Sequence, residues 1–414
     1  MPNKKISLKM EGELNKLSKN KNSLLLFIGT ICSIFSIGKL NISITIYIWP
    51  FCFLHYLHIN ENKFKSFIKV FICIYISNLI RWFGSGDYNI LFELLISSYF
   101  SITTSIPYII DLIFYKKICK AKSVFIYPLS IGFTEYICSF FILSNNNLLA
   151  YSQLNNLSFI QIISLFGTFF LSFIIALFDS ILDYSIEIYQ KQRNISKFIF
   201  YYIIINIIIY LYGGIILLIP YNKDTFRAVS VKGISQLNLV NNKNYIGSLE
   251  TYYEYINDTL SKAKIINADF ISYDEAAFTL EEENYNKFVN KVLDIIKNYK
   301  IDTLLSLDIH LKKEEIPNKR NMNMFIQSNG EIKYNYKKHN LIPFAEFDYI
   351  PSNEPLQVIN TKYGKLSVVI CYDINYPLFI NSLSKKNIDI LIVPSWDYPG
   401  VAEFQSMEAR YKAI

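Results

Sequence analysis

At 414 residues the chain exceeds one ordinary domain and has ample material for a core. Hydrophobic residues make up 52% and charged residues 18%, with a net charge of +7. That balance points to a membrane. The lysines lie in separate loops rather than on one basic face, which argues against a nucleic-acid partner.

The N-terminal stretch 1–22 is polar and lysine-rich and reads as a cytosolic basic tail. Seven apolar segments follow, at about 23–38, 43–58, 66–83, 89–115, 124–143, 158–182 and 198–219. Several reach the ~20 residues that a spanning helix needs; the first two are shorter. The region 23–220 is therefore expected to be a membrane domain of about seven transmembrane helices. The first segment lacks a small-x-small cleavage pattern and reads as an anchor, not a signal peptide.

The loop charges set the expected topology. The tail, Lys63 and Lys65, then Lys116, Lys117, Lys120 and Lys122, and finally Lys191, Arg193 and Lys197 fall in alternate loops. The intervening loops carry Lys39 and Arg81 and little else. The positive-inside rule then keeps the N-terminus in the cytoplasm and sends everything after Pro220 outside it. Glu93, Asp111, Glu135 and Asp179 are the acidic residues within the spans. Glu135, mid-span, stands out as a functional candidate, the others as residues near span ends. Their scarcity argues against a transporter.

Beyond Tyr221 the pattern changes to alternating strands and helices. Strands are expected at 226–234, 268–273, 301–307, 366–370 and 388–394, and helices at 249–265, 282–300, 378–383 and from 403 onward. Ser328-Asn329-Gly330-Glu331 joins two alternating runs, a strong hairpin signal. The domain 226–414 is thus a layered α/β domain.

The six cysteines include no CxxC pair, and the four histidines (His55, His58, His310, His339) lack metal-ligand spacing. Neither a metal nor an organic cofactor is expected. Cys371 stands alone in the second half, at the tip of a buried strand and before a helix. That placement suits a nucleophile backed by N–H groups that hold an oxyanion. On the strand alone it suits a buried structural thiol equally well.

Two other polar sites lie at strand ends, Asp274-Glu275 and Lys337-Lys338-His339. Glutamate, lysine and cysteine on one rim would make an acyl-transfer device. Glu275 would take the thiol proton, and Lys338 would favour the thiolate and, with the Tyr372 N–H, hold the oxyanion. A Cys–His pair using His310 or His339 is the rival arrangement. Spacing alone also leaves Glu275 as a helix-start carboxylate and Lys338 as a solvated lysine.

Three ordered segments carry a resemblance. They are Tyr273-Asp274-Glu275-Ala276-Ala277, the run from Tyr336 through Lys338, Leu341, Pro343 and Glu346 to Phe347, and Ile370-Cys371-Tyr372-Asp373-Ile374-Asn375-Tyr376-Pro377. They resemble the nitrilase superfamily, and within it the apolipoprotein N-acyltransferase family. The stretch Leu157 to Asp183 is similar to a membrane segment of that family. The resemblance implies a multi-span α-helical membrane domain joined to a nitrilase-like αββα sandwich. It implies a catalytic triad of Glu275, Lys338 and Cys371, assisted by Glu346, with Tyr372 and Asp373 flanking the nucleophile.

It also implies the reaction: a fatty acyl group passes from a phospholipid, through a cysteine thioester, to the N-terminal amine of a lipid-modified apolipoprotein. The expected setting is a bacterial inner membrane, with the catalytic domain outside the cytoplasm and a monomeric chain. The family usually has glycine at Ala345, glutamate at Asp373, Pro-Glu-Thr-Ala at 274–277, and Asn-Asp-Ala-Trp-Phe-Gly where Pro394 to Gly400 stands here. The family continues past the helix in which this chain stops, so the sandwich is expected to be C-terminally truncated. The alternatives are a membrane-anchored carbon-nitrogen hydrolase acting on a small amide, or an inactive membrane scaffold.

Overall fold

The computed structural model describes residues 22–84, 90–115, 117–118, 120–141, 147–220, 225–234, 247–312, 315–343, 345–397 and 402–414. The basic tail lies outside the described residues apart from Asn22. The chain divides into two units, Met1–Pro220 with Tyr398–Ile414, and Tyr221–Asp397.

The first unit is helical. It contains α1 (Asn22–Ile34), α2 (Trp49–Ile59), α3 (Lys63–Arg81), α4 (Ile90–Phe114), α5 (Ile126–Cys138), α6 (Thr168–Gln192) and α7 (Lys197–Leu218). Among the described residues three helices, α4, α6 and α7, are long and apolar enough to cross a membrane. The other expected segments fold as shorter helices or, in α3, carry Lys63, Lys65, Lys69 and Arg81. α7 is apolar on all sides, yet only 11% of its most apolar window is buried within the protein. A helix that is apolar all round and unburied suits lipid as its surroundings.

Several charged groups inside this unit are paired. His58 bridges α2, α4 and α6: its Nδ1 lies 2.6 Å from Asp183 Oδ2 and its Nε2 lies 2.6 Å from Asp111 Oδ2. His55 Nδ1 takes the other Asp183 oxygen at 2.7 Å. Glu135 accepts a hydrogen bond from the Leu149 N–H (2.9 Å), fixing the chain that follows α5. Arg81, expected as a loop charge, is instead buried against Ser33, Ser36, Asn78 and Asn147.

The second unit holds two sheets. The larger comprises β1 (Ala228–Val231), β2 (Phe270–Tyr273), β3 (Phe278–Glu281), β4 (Asp302–His310), β5 (Lys319–Ile326) and β6 (Ile332–Lys337). Its order is β1-β2-β4-β5-β6, with β3 also on β4. β1, β2 and β4 run parallel, and β4, β5 and β6 antiparallel. The expected hairpin joins β5 to β6, with Gly330 at φ +80 where only glycine fits without strain.

Helices α8 (Leu249–Ile265) and α9 (Tyr285–Tyr299) cover one face of this sheet. Tyr252, Ile256, Phe288, Val292 and Ile296 interleave there with Ile271, Leu305 and Met324 in one buried core. α9 has its apolar residues at i, i+3, i+4 spacing, so a single face is buried. The smaller sheet has the order β7-β8-β9, from Ile359–Thr361, Gly364–Val368 and Ile390–Ile392. α10 (Pro377–Ser384) follows β8 after a turn of 3₁₀ helix, Cys371–Asn375. The last helix, α11 (Ala402–Lys412), groups with the helical unit instead of the sheets. Its Met407 and Tyr411 are buried in that unit's core, with the Tyr411 ring tilted against Tyr151 at 4.9 Å.

Candidate active site

A break in strand pairing places Glu275. β2 pairs with β4 at Asp302–Leu304, and β3 resumes along the same edge at Leu307–His310. The four residues between β2 and β3 are left to turn out of the sheet. Ala276 takes a left-handed φ of 53 there, rare for a residue with a Cβ. The Ser306 hydroxyl donates to the Tyr273 carbonyl (2.9 Å) and holds the break open. Glu275 is thereby delivered, 5% exposed, to the rim.

Lys338 follows the end of β6 and is 1% exposed. Its backbone is tied on both sides: its N–H donates to the Asn321 carbonyl (3.0 Å), and its carbonyl accepts from Ser352 (2.9 Å). Its Nζ donates to Glu275 Oε1 at 2.8 Å and to Glu346 Oε1 at 2.7 Å. Asn321 Nδ2 adds a 2.7 Å bond to Glu275 Oε1, and the Trp396 N–H a 3.0 Å bond to Oε2. Glu346 Oε2 accepts from the Ile342 N–H at 2.6 Å, across a tight turn.

Cys371 lies just past β8. Its N–H is held by the Pro394 carbonyl (2.9 Å), and its φ is 44, in the left-handed region. Such a conformation costs a non-glycine residue about 1–2 kcal/mol and is retained only where its surroundings fix it. Asp373 supplies that fixing. Its Oδ2 accepts from Tyr336 Oη (2.6 Å) and from the Ile370 N–H (3.1 Å). Its Oδ1 accepts from the Asn340 N–H (2.7 Å) and side chain (3.0 Å). Fully buried, Asp373 staples the cysteine turn to β6 and to the segment after Lys338. Tyr372 is buried beside it, its ring edge-on to Tyr376 at 5.6 Å.

The electrostatics follow from one ammonium among several acids. Burial alone would lower the Lys338 pKa, but Glu275, Cys371 and Glu346 together raise it well above the usual lysine value. Its surroundings therefore favour the ammonium. Glu346 is pushed upward by burial, against the pull of Lys338. The two ends of that contact thus lean opposite ways. Both donors on Glu346, the ammonium and the Ile342 N–H, favour the carboxylate, so the ion pair is the resting state.

Cys371 is pushed well above its ordinary range, first by burial and then by Glu275, with Lys338 only partly offsetting them. Lys338 thus pulls toward the thiolate, the direction expected of it, while burial and Glu275 pull the other way. On balance these influences favour the thiol.

Neither histidine joins this group. His310 faces Asp308 and Glu281, and His339 stacks on Tyr336 with Phe379 tilted against it. Two residues that pattern reading passed over do join it. Asn321, on β5, is a Glu275 partner. Asp397 lies with Oδ1 3.7 Å from Cys371 Sγ. Asn321 is one polar residue in an alternating strand and carries no signal of its own. Asp397 sits in the very segment, Pro394 to Gly400, that departs from the resembled pattern. Among the described residues no group of His, Cys, Asp and Glu has the arrangement to hold a metal ion.

A family model described as carbon-nitrogen hydrolase matches residues 240–413. Another, described as the apolipoprotein N-acyltransferase N-terminal domain, matches residues 29–181. The chain thus matches the apolipoprotein N-acyltransferase N-terminal domain over its first part and the carbon-nitrogen hydrolase family over its second. Its first unit is accordingly part of a membrane protein, and its second a nitrilase-like enzyme domain.

A curated relative, the deaminated glutathione amidase of Dictyostelium discoideum, is 32% identical over 84 residues, 18% of this chain and 29% of that protein. The NitN amidase of Nesterenkonia sp. AN1 is similar at 18% identity and TM-score 0.31, over 36% of this chain and 61% of that one. A carbon-nitrogen hydrolase from Helicobacter pylori G27 is similar at 19% identity and TM-score 0.33, over 41% and 59%. The chain thus spans less than two thirds of these relatives.

Proposed function

We propose that this carbon-nitrogen hydrolase domain is an N-acyltransferase. It moves a fatty acyl group from a phospholipid, by way of a Cys371 thioester, to the N-terminal amine of a lipid-modified apolipoprotein. The observation that carries the reading is the convergence of Glu275, Lys338 and Glu346 within 2.8 Å contacts beside a buried, conformationally strained cysteine. The N-terminal domain match supports a lipid substrate over a soluble one.

The chemistry runs in two halves. Glu275 accepts the thiol proton as Sγ attacks the ester carbonyl. An ammonium has three N–H bonds, and two of those on Lys338 go to the carboxylates. The third stabilises the oxyanion, together with the Tyr372 N–H. Collapse breaks the ester C–O bond, and Glu275 returns the proton to the departing lysophospholipid. The acceptor's amine then attacks the thioester, giving an amide and the free thiol. Such a scheme predicts ping-pong kinetics.

Both substrates are anchored in a bilayer, which gives the apolar helices their purpose. The loop charges support about seven spans in a bacterial inner membrane, with the N-terminus cytoplasmic and the catalytic domain extracytoplasmic. The working unit in this reading is the monomer.

The test is incubation of full-length protein in detergent micelles with radiolabelled phospholipid and a diacylated lipopeptide. The reading requires label on the lipopeptide amine. The unusual segment around Trp396 and the likeness to an amidase favour one second reading, a membrane-anchored amidase for a small amide. Amide cleavage without acyl transfer would select it.

A further inference from the structure

The acyltransferase reading assigns one base, Glu275, but its second half has two protons to dispose of. At neutral pH the N-terminal amine of an acceptor is largely an ammonium. Joining R–NH₃⁺ to an acyl thioester forms the C–N bond, breaks the C–S bond, and yields the amide, the thiol and one released proton. One proton goes to the departing sulfur, and Glu275 is placed to relay it. The other must leave before the nitrogen has a lone pair with which to attack. Neither an ester donor nor water as nucleophile makes that second demand.

We infer that Asp397 meets it: its carboxylate binds the acceptor's ammonium beside the Cys371 thioester and removes the first proton. This rests on the acyltransferase reading. Asp397 Oδ1 is 3.7 Å from Cys371 Sγ, within reach of a group attached to the acyl carbon's attacker. It is a separate carboxylate from the two engaged by Lys338. It is anchored through its neighbour, since the Trp396 N–H is bonded to Glu275 and the Pro394 carbonyl holds the Cys371 N–H.

Glu275, Cys371 and Lys338 are the ionisable groups that act on it, and burial with Glu275 pushes its carboxyl up to about 6. A base of that strength is ionised at neutral pH and still accepts a proton readily. A carboxylate at this point also draws cations and repels anions, so the acceptor class is a positively charged amine.

The experiment separates the halves. Full-length wild type and Asp397→Asn in detergent micelles are loaded with a p-nitrophenyl fatty acyl ester, and the Cys371 adduct is quantified by intact mass. The adduct is then chased with a diacylated lipopeptide amine or with hydroxylamine, a nucleophile that is neutral at pH 7.5. The expected result is that both proteins form the adduct and that, from the Asp397→Asn adduct, lipopeptide transfer is slowed by about 10²-fold relative to hydroxylamine release. Wild-type transfer to the lipopeptide should also fall as pH drops through about 6, and Asp397→Glu should restore part of it.

Unchanged lipopeptide transfer in Asp397→Asn would overturn the inference. So would equal slowing of both nucleophiles, or failure of Asp397→Asn to load, each of which marks a role at the sulfur or in the fold. If wild type loads from the ester but never from phospholipid, the donor assignment falls while the chase still decides the role of Asp397. If the lipopeptide never discharges wild type, both fall.

Discussion

The Lys338 ammonium lies 2.8 Å from Glu275 Oε1, although 63 residues of sequence separate the two. The contact joins the break between β2 and β3 to the end of β6, and both groups are almost wholly excluded from water. A buried pair of this kind is weak evidence for stability, since desolvation offsets much of the attraction. Its value lies in charge held ready where an oxyanion forms. Lys338→Met should therefore reduce acyl-enzyme formation by about 10²–10³-fold. Single-turnover loading measured by intact mass checks this; a loss under tenfold would contradict it.

The thiol's protonation gives a prediction with a definite sign. Glu275 raises the Cys371 pKa and Lys338 lowers it, on top of the rise from burial. Alkylation by iodoacetamide should increase with pH without levelling off near the ordinary thiol value of 9.0. Glu275→Gln removes a raising influence and should shift that curve to lower pH. Lys338→Met removes the lowering one and should shift it higher. A wild-type curve that levels off below pH 8 would mean a resting thiolate.

Asp373 bonds Tyr336, Asn340 and Ile370 at once, so its loss is felt in the turn that presents the sulfur. Each buried donor left without an acceptor costs about 1–3 kcal/mol. Asp373→Ala should lower the thermal midpoint of the full-length protein and raise the alkylation rate of Cys371 as the turn loosens. Normal melting with normal alkylation would show that the staple is dispensable.

The helical unit has its own clamp. Asp183 binds both His55 and His58, and His58 reaches Asp111. Removing one partner of a buried charged network typically costs about 3–5 kcal/mol. Asp183→Asn should melt earlier in detergent, with Cys371 loading preserved at low temperature. An unchanged midpoint would mean that the helices are held by packing alone.

Much of the fold was legible because strand and helix periods differ. The α9 face and the Asn-Gly hairpin both follow from residue spacing, and the structure has them where the pattern puts them. β3 was not visible: Phe278–Glu281 is four residues long, and only its pairing with the far half of β4 makes it a strand. The last helix follows β9 in sequence and lies within the carbon-nitrogen hydrolase match, while its Met407 and Tyr411 are buried in the core of the helical unit. At the site, strand-end position marked Glu275, Lys338 and Cys371 only as candidates, and the family resemblance singled them out as a triad. Asn321 and Asp397 act through distance alone, and distance between remote segments is absent from a linear pattern.

The central claim is that Cys371 carries the acyl group. Intact-mass measurement of the full-length protein after incubation with a phospholipid of defined chain length tests it directly. The account predicts an added mass equal to one acyl chain, removed by neutral hydroxylamine and absent from Cys371→Ala. No adduct on the wild type, or an adduct that persists in Cys371→Ala, would contradict it.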